Sequence, residues 1–346
     1  ETTGICAGNG TYSDPYVIED LIIDGRSSGS CILIENSNVY FKIINCTIYN
    51  SGTSSTNAGI LLSNVTKAHI IDNNCSSNIF GIHLRNSNNN SICGNYANNN
   101  HHIGIGIYLY YSDSNNVSKN IANNNNDDGI SLVISHNNFI SGNTANNNNY
   151  NGISLENSHN NFIQGNNVNN KYFGILLSNS HSNTILGNFA VENTEAGIEL
   201  SSSNNNNVLN NSIKYNDIGI YIASCNSNSI SGNIASNNTE KGIYVVRSDD
   251  NTISGNVVND NYYGIELRTS NHNIISGNTL LGNEECIIEN DCIGNEFSNN
   301  SCNYSNMFPF EQIVLILIII GGISACIILL IFINKSITRR SKKNTT

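Results

Sequence analysis

The sequence predicts an all-β fold, a parallel β-helix solenoid of about eleven coils of 22–23 residues, with one C-terminal transmembrane α-helix. Three features of the 346-residue chain predict it: a glycine-marked unit recurs along most of its length, apolar residues hold fixed places within the unit, and one uninterrupted apolar run lies near the C-terminus. The asparagine-rich composition alone would suggest disorder, but a disordered tract keeps no such register.

The repeating unit has the form Gly-Ile-x-Leu and begins at ten glycines spaced by 22 to 25 residues: Gly59, Gly81, Gly106, Gly129, Gly152, Gly174, Gly197, Gly219, Gly242 and Gly264. If each glycine is position zero, short or branched apolar residues stand at +1, +3, +11 and +16. The alternation around +1 and +3 is the period of a half-buried strand, and we predict two short strands per unit with Asn, Ser and Gly turns between them. A unit of this length cannot bury its apolar face alone, so identical coils must stack.

Two polar positions predict hydrogen-bond ladders between coils. Position +9 is asparagine in nine consecutive units: Asn90, Asn115, Asn138, Asn161, Asn183, Asn206, Asn228, Asn251 and Asn273. A second asparagine column at +14 runs from Asn73 to Asn278, and position +6 is mostly serine. Because stacked coils lie about 4.8 Å apart, each amide can donate to the amide carbonyl of the next coil. We expect these columns to stabilise the solenoid.

The register divides the chain into six parts: an N-terminal cap at 1–28, the repeats at 29–285, a degenerate capping coil at 286–306, a linker at 307–312, the transmembrane helix at 313–333 and a basic tail at 334–346. The capping coil keeps the repeat spacing but has Cys286, Cys292 and Cys302 at positions 0, +6 and +16. A disulfide among these three cysteines is the expected cross-link of the cap.

The apolar run from Ile313 to Ile333 would be about 32 Å long as a helix, which matches a bilayer core. Five Lys or Arg residues and no acidic residue follow it, which predicts a cytoplasmic tail and a repeat domain outside the cell. The chain begins at Glu1 rather than Met, as expected after removal of a secretory signal peptide. Outside the basic tail the chain carries 10 basic and 26 acidic residues, and this negative charge disfavours nucleic acid as a partner.

The full unit, G-I-x-L-x-x-S-x-x-N-x-I-x-G-N-x-A-x-x-N, resembles the parallel β-helix repeats of the NosD-like and carbohydrate-binding, sugar-hydrolysis group. The stretch from Gly8 to Glu19, followed by Ile23-Asp24-Gly25, is similar to the N-terminus of many archaeal surface members. The resemblance covers residues 8 to about 305 and implies a right-handed helix of coils. Members include polysaccharide lyases, hydrolases and epimerases, adhesins and a periplasmic copper-assembly factor, so no single function follows. A copper role would favour Met and His, and the chain has 1 Met.

We interpret the protein as a membrane-anchored extracellular surface module that binds a glycan or another envelope component, with a polysaccharide or surface-layer glycan as the expected partner. The main alternative is a polysaccharide-active lyase, glycoside hydrolase or epimerase on the same scaffold, and a passive surface stalk is the third. The hydrolase pattern of that fold, paired Asp with Gly-His-Gly, is missing, since Asp127-Asp128 and Asp249-Asp250 are only fragments of it. A carboxylate cluster along one groove would favour the enzyme.

The predicted binding patch combines residues of two long turns and the strands beside them: His83, His101, His102, Tyr108, Asp127 and Asp128. Imidazoles near carboxylates can bind a divalent metal or supply acid and base groups, whereas a solvated polar turn is the alternative. The sequence assigns no particular metal, so Ca²⁺ or another divalent ion is the cofactor to test. A zinc site is disfavoured because the chain has no Cys-x-x-Cys pair.

Four tyrosines at the outward positions +2 and +4 are candidate sugar-stacking residues: Tyr108, Tyr110, Tyr221 and Tyr244. The first two share a strand, and the last two are in adjacent coils. Ordinary strand-surface tyrosines are the alternative, because Tyr has a high strand propensity. Exposed, contiguous tyrosine columns would distinguish a binding face from a stalk.

Overall fold

The computed structural model describes residues 6–303, which form an all-β solenoid of right-handed type with about 13 turns. This confirms the predicted parallel β-helix. The predicted linker, transmembrane helix and basic tail, residues 307–346, lie outside the described residues. Between residues 6 and 303 the structure has no helix that is long and apolar enough to cross a bilayer.

The prediction of about eleven coils was too low, because the N-terminal coils lack the repeat glycine. Tyr16–Glu19 pairs in parallel with Phe41–Ile44, and Ile22–Asp24 pairs with Thr47–Tyr49, so the predicted cap contributes a coil of its own. In the next coil Cys31 precedes the strand at the place where later coils have glycine. A count based on glycines cannot find either coil.

The strands of successive coils form three parallel sheets. Sheet 1 holds positions +1 to +4 and has 12 strands: Ile32–Ser37, Ile60–Val65, Phe80–Arg85, Ile105–Tyr110, Ile130–Val133, Ile153–Glu156, Ile175–Ser178, Ala196–Ser201, Ile218–Ala223, Lys241–Val246, Tyr263–Arg268 and Glu285–Asn290. Sheet 2 holds positions +10 to +12 and has 13 strands: Tyr16–Glu19, Phe41–Ile44, Ala68–Ile71, Ser91–Cys93, Asn116–Ser118, Phe139–Ser141, Phe162–Gln164, Thr184–Leu186, Asn207–Leu209, Ser229–Ser231, Thr252–Ser254, Ile274–Ser276 and Glu296–Ser298. Sheet 3 lies around position +16 and consists of a five-stranded part and two pairs: Thr144–Asn146, Asn167–Asn169, Phe189–Val191, Ser212–Lys214, Ile234–Ser236; Ile22–Asp24 with Thr47–Tyr49; Thr279–Leu281 with Ser301–Asn303.

Sheet 3 corrects the prediction of two strands per unit. Its strands are only three residues long, and in several coils single bridges such as Tyr96 to Ile121 replace them. One inward apolar residue at +16 gives the sequence no alternation from which a strand could be predicted.

The apolar columns form one continuous core. In the Gly106 coil the residues at +1, +3, +11 and +16 are fully buried: Ile107, Leu109, Val117 and Ala122. The repeat glycine is required where this core meets the next coil. A Cβ at Gly106 would lie 2.6 Å from the carbonyl oxygen of Gly129 and 2.9 Å from the Cβ of Ala122. No larger residue fits there without moving the backbone.

The predicted asparagine ladder is present. Asn161 Nδ2 donates to Asn183 Oδ1 at 3.1 Å, and Asn161 Oδ1 accepts from Asn138 Nδ2 at 3.1 Å. The same bond links every neighbouring pair from Asn90 to Asn273 and continues to Asn295. The residue at +8, before each ladder asparagine, makes the corner in the left-handed backbone region, with φ of 58° at Asn160.

The degenerate last coil continues all three sheets in register. Cys286 and Cys302 form a disulfide with a Cα–Cα distance of 6.0 Å, whereas Cys292 is a free thiol. The expected cross-link of the cap therefore joins positions 0 and +16. Cys292 instead takes the place of the +6 serine, and its sulfur accepts from the backbone N–H of Ser270 at 3.4 Å.

Candidate functional site

The outward side chains of sheet 1 form the candidate site. Strand alternation sends +1 and +3 into the core and +2 and +4 to the surface, so each outward position forms a column across the coils. The strand register places these residues next to one another along the +2 column: Leu61, His83, Tyr108, Ser131, Ser154, Leu176, Glu199, Tyr221, Tyr244 and Glu266. This column varies from coil to coil, unlike the repeated inward and ladder positions.

Two small residues in the +2 column open a surface cavity of about 380 Å³. Ser131 and Ser154 stand between the larger Tyr108 and Leu176, all of which line the cavity. Asp127, from the turn before the Ser131 strand, also lines it, and we call it the Asp127 cavity. Its volume is in the range of small-ligand sites.

Asp128 is the most extensively hydrogen-bonded carboxylate of the Asp127 cavity. Its Oδ1 accepts from the backbone N–H and the Nδ2 of Asn151, both at 2.9 Å, and its Oδ2 is bonded to the Ser154 hydroxyl. Ser154 Oγ lies 2.9 Å from Ser131 Oγ, which extends the chain by one coil. Burial raises the pKa of Asp128, and the bonds from Ser154 and Asn151 oppose that rise.

Asp127 is the more accessible carboxylate of the pair. Burial, together with the neighbouring Asp128, raises the pKa of Asp127 to about 6. Burial also raises the pKa of Tyr108 in the same cavity to about 12. The exposed Glu156 adds a third carboxylate to the lining. A carboxyl group with a pKa of about 6 can exchange a proton with a ligand near neutral pH, whereas the Tyr108 phenol stays protonated and can donate a hydrogen bond.

His83 lies on the other side of Tyr108. Its ring centroid is 4.9 Å from that of Tyr108 and 5.0 Å from that of Phe80. His83 is 5% exposed, and burial lowers its pKa to about 4. Within the part of the chain that the structure describes, neither ring nitrogen has a hydrogen-bond partner. His83 also lines a second cavity of about 330 Å³ together with Glu35 and Arg85. A neutral imidazole in an aromatic cluster follows from these contacts.

The structure therefore brings together only part of the predicted binding patch. Tyr108, Asp127 and Asp128 line one cavity, and His83 contacts Tyr108 from outside it. The two turn histidines, His101 and His102, are exposed, have tilted rings with centroids 5.1 Å apart, and line neither cavity. They remain a candidate surface, separate from the Asp127 cavity.

The tyrosine pairs stack as separate platforms. Tyr108 and Tyr110 have ring centroids 5.9 Å apart in one strand, and Tyr221 and Tyr244 stack at 5.2 Å with an interplanar angle of 9° across two coils. Lys241 Nζ lies 4.4 Å from the Tyr244 ring and 3.5 Å from Glu266 Oε2. The second platform thus includes its own cation.

Glu199 precedes Tyr221 in the +2 column. Burial, with the neighbouring Glu195, raises its pKa to about 7. The outer face therefore carries two acidic regions, one at the Asp127 cavity and one beside the Tyr221 platform.

A histidine column stands at position +7, in the turn between sheets 1 and 2. The rings of His136, His159 and His181 stack at centroid distances of 5.0 Å. Each Nδ1 accepts a backbone N–H of the next coil at 3.0 Å: from His159, His181 and Asn204 in turn. Every ring must therefore carry its proton on Nε2 when neutral.

The serines and Asn151 that build the cavity, and the histidine column, were not predicted from the sequence. Two successive small residues in a column of large ones are the feature that marks the cavity. The exposed stack of Tyr150 on Tyr172, with ring centroids 5.3 Å apart in the turns before the Gly152 and Gly174 coils, was not predicted either. Equal spacing of aromatic residues outside the strands would have indicated it.

Comparison with known proteins identifies the family. Residues 8–196 and 189–309 match the sequence profile described as periplasmic copper-binding protein (NosD). The chain belongs to the NosD family. This NosD-family chain has no match among curated protein sequences.

Solved structures with the same fold include mannuronan and alginate epimerases and a tailspike protein. The A-module of Azotobacter vinelandii mannuronan C-5 epimerase AlgE6 has a TM-score of 0.68 and 15% identity, covering 82% of this chain and 88% of its own. The periplasmic alginate epimerase AlgG has a TM-score of 0.54 and 15% identity over 82% and 78%. The Dettilon tailspike protein gp208 has a TM-score of 0.64 and 17% identity over 78% and 61%. At these identities the likeness concerns the fold.

The copper in the NosD family description does not fit the donors that the structure describes. Among residues 6–303 no group of three or more His, Cys, Asp and Glu side chains is placed to hold a metal ion. The stacked +7 histidines have their Nδ1 atoms engaged by backbone N–H groups. The single Met of the chain, Met307, lies outside the described residues.

Proposed function

We propose that the protein is a surface β-helix that binds a glycan along the outer face of sheet 1, with the Asp127 cavity as the central contact. The observation that carries this proposal is the cavity itself. A hollow of about 380 Å³ is lined by an aromatic ring, Tyr108, and by converging serine and carboxylate groups. Ligand sites combine an apolar wall with a few oriented polar groups in this way.

The two tyrosine platforms extend the proposed site along the solenoid. Tyr108 and Tyr221 occupy the same column five coils apart, which is about 24 Å at the usual strand spacing. An extended polysaccharide that lies parallel to the solenoid axis would contact both. The solved epimerases with this fold are named for the polysaccharides mannuronan and alginate, which supports a glycan as the ligand class.

We place this surface outside the cell, held by the apolar segment from Ile313 to Ile333, with the basic tail in the cytoplasm. The proposal rests on the length of that segment and on the charge asymmetry around it. Protease added to intact cells should degrade the repeat domain and spare an epitope on the tail. Protection of the repeat domain would contradict the topology and leave the proposed glycan face untouched.

A glycan array of the full chain tests the binding proposal. The parent and two variants, Tyr108→Ala and Tyr215→Ala, are screened with and without Ca²⁺. Tyr108→Ala should lose the glycans that the parent binds, because the ring lines the Asp127 cavity. Tyr215→Ala should retain them, because Tyr215 is an exposed corner residue outside this face. Equal binding by the two variants would place the glycan elsewhere.

A polysaccharide-active enzyme is the second candidate, favoured by one observation. Asp127, whose pKa is about 6, lines the same cavity as Tyr108, so the cavity contains a group suited to acid and base work near neutral pH. Prolonged incubation with a bound oligosaccharide should then yield new reducing ends, unsaturated sugars or an inverted sugar centre by NMR, and Asp127→Asn should abolish the product. An unchanged oligosaccharide would restrict the protein to binding.

A further inference from the structure

We infer that the Asp127 cavity takes a sugar that bears a protonated amine and rejects uronate sugars. The inference rests on the proposed glycan-binding function and names the ligand class of that site. It also separates this chain from the mannuronan and alginate epimerases that share its fold, since their named polysaccharides are built of acidic sugars.

The charges that line the cavity are all negative. Asp127, Asp128 and Glu156 are lining residues, and no Lys, Arg or His stands among the residues that line it. Among the described residues, neither of the ion pairs found involves one of these carboxylates. A ligand carboxylate placed here would lie beside Asp127, Glu156 and the buried Asp128 without a cationic side chain among the lining residues, which is unfavourable at short range.

The Tyr221 platform provides the internal contrast. There the acidic Glu266 is within 3.5 Å of Lys241, whose ammonium also lies over the Tyr244 ring. That platform therefore holds its own cation next to an aromatic face. The Asp127 cavity has the aromatic face and the carboxylates, and a ligand ammonium would supply the missing cation.

An unsatisfied acceptor gives independent support for a donor on the ligand. Asn151 lines the cavity, is 8% exposed, and uses its Nδ2 on Asp128 Oδ1. Its Oδ1 is buried and, among residues 6–303, has no hydrogen-bond partner. A buried acceptor without a partner costs about 1 to 3 kcal/mol, and a small shift of the Asn151 side chain toward the cavity would let a ligand ammonium, which has three donors, satisfy it.

Ion pairing with the ligand would couple binding to proton release. Burial and Asp128 hold the pKa of Asp127 near 6 in the free protein. An ammonium beside Asp127 lowers that pKa again, because it favours the charged form. Affinity for an amine-bearing glycan should therefore rise as the pH increases from about 5 to 7, and a neutral glycan should show no such rise.

The test compares three oligosaccharides of equal length by calorimetry with the full chain: a glucosamine oligomer, its N-acetylated form and a mannuronate oligomer. We expect the glucosamine oligomer to bind at least tenfold more tightly than the N-acetylated form, with proton release at pH 6, and the mannuronate oligomer not to bind. Asp127→Asn should weaken glucosamine binding about tenfold and leave binding of the N-acetylated form within about twofold.

Glu284→Gln is the matched control, since it removes one exposed carboxylate of the same domain outside the cavity. It should change none of the three affinities by more than about twofold, which distinguishes local recognition from the overall negative field. The inference would be overturned if the mannuronate oligomer bound more tightly than the glucosamine oligomer, either in the presence of a chelator or in the presence of Ca²⁺. The proposal that the protein binds a glycan would still stand. Absence of binding by every oligosaccharide here and on the array would instead remove the glycan proposal itself.

Discussion

The same coils present two different surfaces, one uniform and one varied. At the corner before sheet 2, the ladder position is asparagine from Asn90 to Asn273, and each amide bonds to the next. On the outer face of sheet 1, the +2 position changes from Tyr108 to Ser131 and Ser154 and then to Leu176 within four coils. The backbone pairing beneath both is identical. The repeated positions thus maintain the solenoid, and we propose that the varied positions determine what it binds.

The largest effect should come from removing one ladder residue. Asn161 Oδ1 accepts from the backbone N–H and Nδ2 of Asn138, and its Nδ2 donates to Ser135 O and Asn183 Oδ1. Asn161→Ala leaves buried donors and acceptors unpaired, so the free energy of unfolding should fall by about 1 to 3 kcal/mol. Urea unfolding followed by tyrosine fluorescence measures it.

Cys225→Ser is the control for the ladder variant. Cys225 replaces a +6 serine, and its sulfur already contacts the backbone N–H of Ser203 and the carbonyl oxygen of Leu200. A serine restores the common residue of this column and should change stability by less than about 1 kcal/mol. If Cys225→Ser unfolds the domain while Asn161→Ala melts like the parent, the repeated positions do not maintain the fold.

An intermediate effect should come from the cavity carboxylate, with a pH dependence that the ladder lacks. The folded state raises the pKa of Asp127 from 3.8 to about 6, so folding favours its protonated form. The associated stability is complete below about pH 4 and is lost as the pH rises through about 6. The free energy of unfolding of Asp127→Asn should thus match that of the parent at pH 4 and exceed it by roughly 1 kcal/mol at pH 7, after allowance for solvent screening.

Parallel pH titrations of the unfolding midpoint compare the parent, Asp127→Asn and the exposed-site control Glu284→Gln. Only Asp127→Asn should show a smaller fall in stability between about pH 4 and 6 than the parent. An unchanged profile in Asp127→Asn would mean that the folded protein does not hold this carboxyl in its neutral form. A site that weakens its own fold at neutral pH is typical of a binding or catalytic group.

The sequence was sufficient for the fold wherever a residue type repeats. Ladder positions such as Asn161 and inward positions such as Ile107 and Leu109 recur at one spacing, and the structure places them as predicted. The coil within the predicted cap and sheet 3 were missed because no repeat glycine marks that coil and a single residue at +16 shows no alternation. The backbone of adjacent coils still pairs in these segments, although the sequence repeat is interrupted there.

The site was predicted only in part, because it depends on shape as well as residue type. Tyr108, Asp127 and Asp128 were found from their chemistry. The cavity exists because Ser131 and Ser154 are small beside Tyr108, and no single residue shows a hollow between side chains of different coils. His101 and His102 were grouped with the aspartates because their turns stack one coil apart. They line neither cavity, since turn side chains in adjacent coils need not converge.

The smallest effect should come from the histidine column at +7. The residue type changes along this column, but each side chain accepts the same backbone hydrogen bond from the next coil. His159 Nδ1 accepts the backbone N–H of His181 at 3.0 Å, and burial, with His136 and His181, lowers the pKa of His159. Because the folded state disfavours the charged imidazole, this stability is present above about pH 6.5 and is lost as the pH falls below it.

Asparagine makes the equivalent bond at Asn204, whose Oδ1 accepts from the backbone N–H of Asn226 at 2.7 Å. The free energy of unfolding of His159→Asn should therefore equal that of the parent at pH 7.5 and exceed it at pH 5 by less than about 1 kcal/mol. His159→Ala should have a lower free energy of unfolding than the parent at pH 7.5. Identical pH profiles for the parent and His159→Asn would show that this column does not lose its backbone bond on protonation.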